Sequence, residues 1–107
     1  MTVFRVVATG SELLTERANA DLFHVSRRLS ALGLGIASAV TVGDDAAAIS
    51  AALRSAAGDA DVLIVSGGLG PTSDDVTVEA AARAFGRAVR TDPGVLARVK
   101  EHFERRG

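Results

Sequence analysis

The segment from Val62 to Thr77, VLIVSGGLGPTSDDVT, most constrains the fold: a continuous apolar run breaks into glycines, hydroxyls and paired aspartates just before a helical pattern begins. Val62 to Val65 suits a strand buried on both faces of a parallel sheet, and such sheets bind ligands in the crevice beyond their strand carboxyl ends. Ser66-Gly67-Gly68-Leu69-Gly70 lets main chain approach a ligand closely, because glycine has no Cβ and tolerates positive φ. Backbone N–H groups there can converge on an anion, helped by the positive end of the next helix. Asp74 and Asp75 would repel a phosphate unless a divalent cation, Mg2+ or a similar ion, lies between carboxylate and phosphate oxygens. The competing reading is a plain strand-to-helix turn. Capping would use one acidic or hydroxyl side chain and leave Gly67, Gly68, Gly70 and the second aspartate unexplained.

The same alternation recurs along the chain. Val3 to Ala8 reads as a strand closed by Thr9-Gly10, and Leu22, Val25, Leu29 and Leu32 then recur at helical spacing up to Gly33. Ile36 to Val42 is a second strand, broken by Gly43-Asp44-Asp45 before Ile49, Ala52, Leu53 and Ala56 mark a second helix face. After the glycine motif, Val78, Ala81, Ala82 and Phe85 form the expected apolar stripe, and Asp92-Pro93 starts a last helix bearing Leu96, Val99 and Phe103. Strands alternating with helices imply right-handed βαβ units, hence a three-layer α/β/α sandwich around a mostly parallel sheet, in one domain spanning residues 1–107. Three strands are few. A short strand around Arg87-Ala88-Val89-Arg90, or chain beyond Gly107, would widen the sheet. Exposed sheet edges and the last apolar stripe favour a homo-oligomer.

A net charge of −1 offers no electrostatic footprint for nucleic acid, so a small molecule is the expected partner. The absence of cysteine excludes disulfides, thiolate nucleophiles and cysteine-bound zinc, and is consistent with a cytoplasmic address. No apolar run approaches the eighteen or so residues that span a bilayer, so no membrane partner is expected.

In a parallel sheet, the loops after all three strands lie at one edge. Thr9-Gly10-Ser11-Glu12, Thr41-Val42-Gly43-Asp44-Asp45 and the glycine motif should therefore bring Glu12, Asp44, Asp45, Asp74 and Asp75 toward one crevice, a set that invites a divalent cation. Each also has a structural reading: Glu12 as a surface residue of a first turn, Asp44 or Asp45 as a helix cap. His24 and His102 lack a second ligand at metal spacing, and Ser11 and Ser66 have no histidine at a recognisable spacing for nucleophilic catalysis.

Gly10-Ser11-Glu12-Leu13-Leu14, Thr41-Val42-Gly43-Asp44-Asp45, and Ser66-Gly67-Gly68-Leu69-Gly70-Pro71-Thr72 with Asp74-Asp75-Val76-Thr77 resemble, in order and spacing, the N-terminal domain of the competence/damage-inducible CinA proteins, within the MoaB/MogA molybdopterin-binding fold. The resemblance implies a three-layer domain, a pterin or nucleotide-phosphate pocket at the glycine loop, and an oligomer. It further implies Mg2+-dependent hydrolysis of ADP-ribose, or, as in MogA-like relatives, adenylylation of molybdopterin; a non-catalytic binding or assembly module is the reading from another class. Carried onto this sequence, Ser66, Gly67, Gly68, Gly70, Thr72 and Thr77 would bind the ligand. Asp44, Asp45, Asp74 and Asp75 would be the metal candidates, with Asp75, Asp44 and Glu12 catalytic and Glu12 positioning water. Two departures stand out. The stretch Leu14-Thr15-Glu16-Arg17-Ala18-Asn19 is about three residues shorter than in CinA sequences, and the family's closing strands and glycine- and proline-containing loop have no counterpart before Gly107.

Overall fold

The computed structural model describes residues 1–15 and 18–106. Its elements run β1 (Phe4–Thr9), α1 (Glu12–Thr15), α2 (Ala20–Ala31), β2 (Ile36–Val42), α3 (Ala46–Ala57), β3 (Val62–Ser66), α4 (Thr77–Phe85) and α5 (Pro93–Arg106). The three strands form one parallel sheet in the order β2-β1-β3, with Thr9 level with Val42 and Ala8 with Ser66. All strand carboxyl ends therefore finish at one edge, as the loop reading requires.

Strand order also fixes the layers. From β1 the chain moves to one side to make β2, then crosses back over β1 to make β3. Right-handed crossovers in opposite directions place α2 and α3 on opposite faces of the sheet. On the α3 face the core is Val7, Ile49, Leu53 and Ala80, each fully buried, with Val42, Leu63, Val65 and Val76 packed around it. Burying a side chain such as Ile49 or Leu53 contributes roughly 1.5–3 kcal/mol. On the opposite face Val6 and Ala8 are equally inaccessible, because alternate residues of a central strand point to opposite layers.

Helix termini follow their sequence signals. Asp45 caps α3 by accepting from the N–H groups of Ala47 and Ala48, and the Asp92 carboxylate accepts from Val95 N at 3.0 Å. Such caps are worth about 1 kcal/mol each.

Two expectations need correction. The inward face of α4 is Thr77, Ala80, Ala81 and Ala84, whereas Val78 and Phe85 are 50% and 46% exposed. Here α4 packs on α3 and the glycine loop, where small side chains permit a close approach that valine or phenylalanine would prevent. Residues Arg87 to Arg90 do not form a strand. Along α5, Leu96, Val99 and Phe103 are 42%, 45% and 68% exposed, leaving the apolar stripe open. Among the described residues no helix is long and apolar enough to cross a membrane.

Candidate functional site

β1 is where the strand order reverses: the chain leaves it toward α2 on one face, while β3 leads to α4 on the other. Adjacent carboxyl ends whose connections diverge this way open a crevice between them, the usual ligand position in doubly wound sheets. A cleft of about 230 Å³ occupies that position, lined by Thr9, Glu12, Leu13, Ala18, Asn19, Ala20, Asp21, Ser66 and Gly67.

Its floor is a hydroxyl bridge between chain segments remote in sequence. Thr9 Oγ1 donates to the Ser66 carbonyl at 3.3 Å and lies 2.8 Å from Thr77 Oγ1. A threonine hydroxyl has one proton, so with Thr9 donating to Ser66, Thr77 donates to Thr9. The glycine loop sits directly on this bridge. Gly67 (φ 90°) and Gly68 (φ 63°) both adopt the left-handed region. A Cβ on Gly67 would overlap the Thr9 carbonyl oxygen, and one on Gly68 would overlap Thr77 Oγ1. Glycine is required at both positions for φ and for space, and the Thr77 N–H donates to the Gly68 carbonyl at 3.4 Å.

The second half of the loop is organised by Asp75. Its Oδ2 accepts from the Thr72 hydroxyl at 2.6 Å and the Thr72 N–H at 3.0 Å. The Thr72 hydroxyl, then the Thr72 N–H, hold the Asp75 carboxyl below its ordinary value of 3.8; desolvation opposes them, and the Gly70 N–H adds a lesser lowering. Asp75 does not cap α4, whose N-cap, Val76, makes no side-chain capping bond.

Ser11 and Asp44 join the other two loops reciprocally. Ser11 N–H donates to Asp44 Oδ2 and Asp44 N–H donates to Ser11 Oγ, each at 3.1 Å. Between them, Gly10 N–H donates to the Val42 carbonyl at 2.9 Å.

The candidates from sequence thus separate. Glu12, Ser66 and Gly67 line the cleft, while Gly68, Gly70, Thr72, Asp74 and Asp75 belong to the loop beyond it. Thr77, expected at the ligand, is 2% exposed and commits its hydroxyl to Thr9. Asp45, expected to hold metal, faces the amino end of α3. Asp44 is bound to Ser11 and Asp74 is exposed. Among the described residues no three histidine, aspartate or glutamate side chains gather where they could hold an ion, so the expected five-carboxylate convergence is not assembled. The cause is local: Asp44, Asp45 and Asp75 each accept from backbone N–H groups of a neighbouring turn. The shortened segment noted above includes Glu16 and Arg17, which lie outside the described residues.

Mg2+ typically takes only one or two carboxylates, completing its shell with substrate phosphate and water. A hard oxygen donor kept ionised within the glycine loop, as Asp75 is, fits that requirement.

Sequence reasoning overlooked Thr9, Asn19 and Asp21 as site residues. Asn19 carries a helix-start signal, an N-cap three residues before Leu22, but its place at the cleft follows from the adjacency of β1 and β3, which no local pattern encodes.

The family described as "Probable molybdopterin binding domain" matches residues 5–106. The chain is 46% identical over 99 residues to a CinA-like protein of Desulfovibrio desulfuricans, covering 92% of this chain and 23% of that protein. It is 44% identical over 102 residues to a CinA-like protein of Geobacter sulfurreducens, covering 94% and 25% respectively. It thus spans about a quarter of the length of these curated relatives. The crystal structure of CinA from Thermoplasma acidophilum, a protein of unknown function, superposes with a TM-score of 0.89 at 33% identity over 96% of this chain and 62% of that one. The molybdopterin biosynthesis enzyme MoaB of Thermus thermophilus shares the fold, with a TM-score of 0.72 at 23% identity over 88% and 59%.

Proposed function

We propose that this chain, which belongs to the molybdopterin-binding domain family and groups there with CinA-like proteins, binds a phosphate-containing nucleotide at the β1–β3 cleft and hydrolyses a phosphoanhydride of the ADP-ribose kind with Mg2+. The observation that carries the reading is the glycine loop on its threonine bridge. Two consecutive left-handed glycines at the mouth of a switch-point cleft present main chain to a ligand on a rigid buried support.

Within this reading Gly67 and Gly68 offer backbone N–H groups to phosphate oxygens, and Thr9 and Thr77 keep those groups fixed. Asp75, ionised through Thr72, is the carboxylate beside the phosphates, with Asp74 next to it in the chain and Asp44 on the neighbouring loop. Glu12, on the cleft wall, is the base that orients and deprotonates an attacking water. Bound Mg2+ would screen the charge between carboxylate and phosphate and polarise the phosphoryl group. The same chemistry suits a cytoplasmic domain acting on a soluble metabolite.

Replacing loop glycines would test folding more than binding, because any Cβ at Gly68 collides with Thr77. Asp75→Asn is cleaner: it retains an oxygen for Thr72 and removes the charge. Titration calorimetry with ADP-ribose and with ATP, with and without Mg2+, should show Mg2+-dependent binding in the wild type and its loss in Asp75→Asn at nearly unchanged melting temperature. Unaltered Mg2+-dependent binding by the variant would remove Asp75 from the site. Binding of ATP but not ADP-ribose would favour nucleotidyl transfer to a pterin over hydrolysis.

A further inference from the structure

Every residue from Phe85 to Arg105 is exposed, so α5 is bare on all sides and no other element packs extensively on it. Its supports are local: the Asp92 carboxylate accepts from Val95 N, and Glu101 pairs with Arg105 one turn on. A helix of 14 residues with so little support is marginal in water unless its apolar face is covered. That face is well formed. Leu96, Val99 and Phe103 stand at i, i+3 and i+7, the anchor spacing of a helix that lies on an apolar surface. Upstream, Gly86 ends α4 at φ 63°, and residues 87–92 form an irregular linker that reaches roughly 20 Å when extended.

Charge selects the cover. Residues 87–107 carry six Lys and Arg against three Asp and Glu, while residues 1–86 carry six against ten. Two α5 helices laid face to face would therefore bring like charges together, which disfavours that pairing. The body offers the complement at the carboxyl edge of the sheet, where the loops hold Glu12, Asp44, Asp45, Asp74 and Asp75. Residues 10–15, 43–45 and 67–76, which make up that edge, contain no lysine or arginine. Leu14 and Leu69 sit among those acids, 58% and 66% exposed. An apolar and acidic edge thus matches an apolar and basic helix. The amino edge does not, since Arg5 there pairs with Asp59.

We propose that residues 87–106 form an arm whose helix docks on the carboxyl edge of a second copy of this chain. Leu96, Val99 and Phe103 lie against Leu14 and Leu69, while Lys100 beside the stripe and Arg87 and Arg90 in the linker face the acidic loops. The helix of α5 is held when docked and frays when free. Docking also brings positive charge to the mouth of a β1–β3 cleft whose own loops have none. The inference does not depend on which ligand that cleft takes.

The test is sedimentation equilibrium on the full chain and on variants at exposed positions. Phe103→Asp disables the arm and Leu69→Lys the edge, and Leu14→Lys repeats the edge test outside the glycine loop. Each should weaken self-association about tenfold or more, the scale of a central apolar anchor. An equal mixture of Phe103→Asp with either edge variant should associate again, because the intact arm of one meets the intact edge of the other. Raising sodium chloride from about 50 to about 500 mM should weaken association of the wild type several-fold. On dilution, the amide resonances of residues 95–105 should move from helical toward coil shifts. Undiminished association in both edge variants would place α5 against another α5 or another surface and overturn the proposal. So would a mixture that fails to associate with either edge variant, or a monomer whose α5 stays helical at every concentration. Binding of wild type and edge variants alike to phosphatidylserine vesicles, without self-association, would assign the arm to a lipid surface instead.

Discussion

Replacing the hydroxyl by a methyl, threonine to valine, at the two ends of the buried hydroxyl bridge should give unequal losses. Thr77 is 2% exposed and acts as donor to Thr9, which in turn donates to the Ser66 carbonyl. Thr77→Val deletes one neutral hydrogen bond and leaves Thr9 lacking only an acceptor role, so the expected cost is about 1 kcal/mol. Thr9→Val deletes both bonds and strands the Thr77 hydroxyl proton in the interior, which adds roughly 1–3 kcal/mol for the orphaned donor and brings the total to about 3–5 kcal/mol. In the double variant both bonds are gone but no donor is stranded, giving about 2 kcal/mol. The double variant should therefore be more stable than Thr9→Val alone, a coupling of the kind that touching residues show. Urea unfolding of the four proteins measures this directly, provided the slope is constant across the series. Equal losses at the two positions, or simple additivity, would refute the assigned direction of the bridge and with it the account of why the glycine loop is rigid.

Two further outcomes follow from the same geometry. Because Thr72 holds the folded Asp75 carboxyl below 3.8, the loop stabilisation is fully present above that pH and is lost as pH falls through the lower folded value. The Thr72 amide resonance should titrate with a midpoint below 3.8, and a midpoint at or above it would show that Thr72 does not favour the charged form. The open stripe of Leu96, Val99 and Phe103 on α5, together with exposed Val40 on the edge strand β2, supports self-association. Light scattering across a concentration series should give a defined oligomer; a monomer at high concentration would contradict this.

The sequence carried the elements well where one residue type serves one purpose. Val62 to Val65 is a strand because nothing in it is polar, Asp45 and Asp92 start helices because an oxygen there meets free N–H groups, and Gly33 follows the α2 cap with φ 76° where a side chain would be strained. It misled at α4 because hydrophobic periodicity weighs large side chains most heavily. The face that must approach Gly68 and α3 instead uses Thr77 and Ala80, leaving Val78 and Phe85 outside.

The candidate site was legible only in part, for a related reason. Short motifs announce loops, and the glycine run did so, but the crevice is made by residues that come together only after β3 inserts beside β1. Thr9 and Thr77 are 68 positions apart and meet at 2.8 Å. Neither has a side chain that advertises chemistry, yet they set the backbone on which any ligand at Gly67 and Gly68 would rest. The aspartates were conspicuous in the sequence, and the fold uses three of them first to complete turns: Asp45 at α3, Asp44 with Ser11, and Asp75 with Thr72. A carboxylate that orders its own loop can still meet a cation. Of the three, Asp75 is bound within the glycine loop itself and held in its charged form by its partners. Structural and chemical roles therefore coincide at Asp75, whereas at Asp45 the capping geometry turns the carboxylate toward the helix.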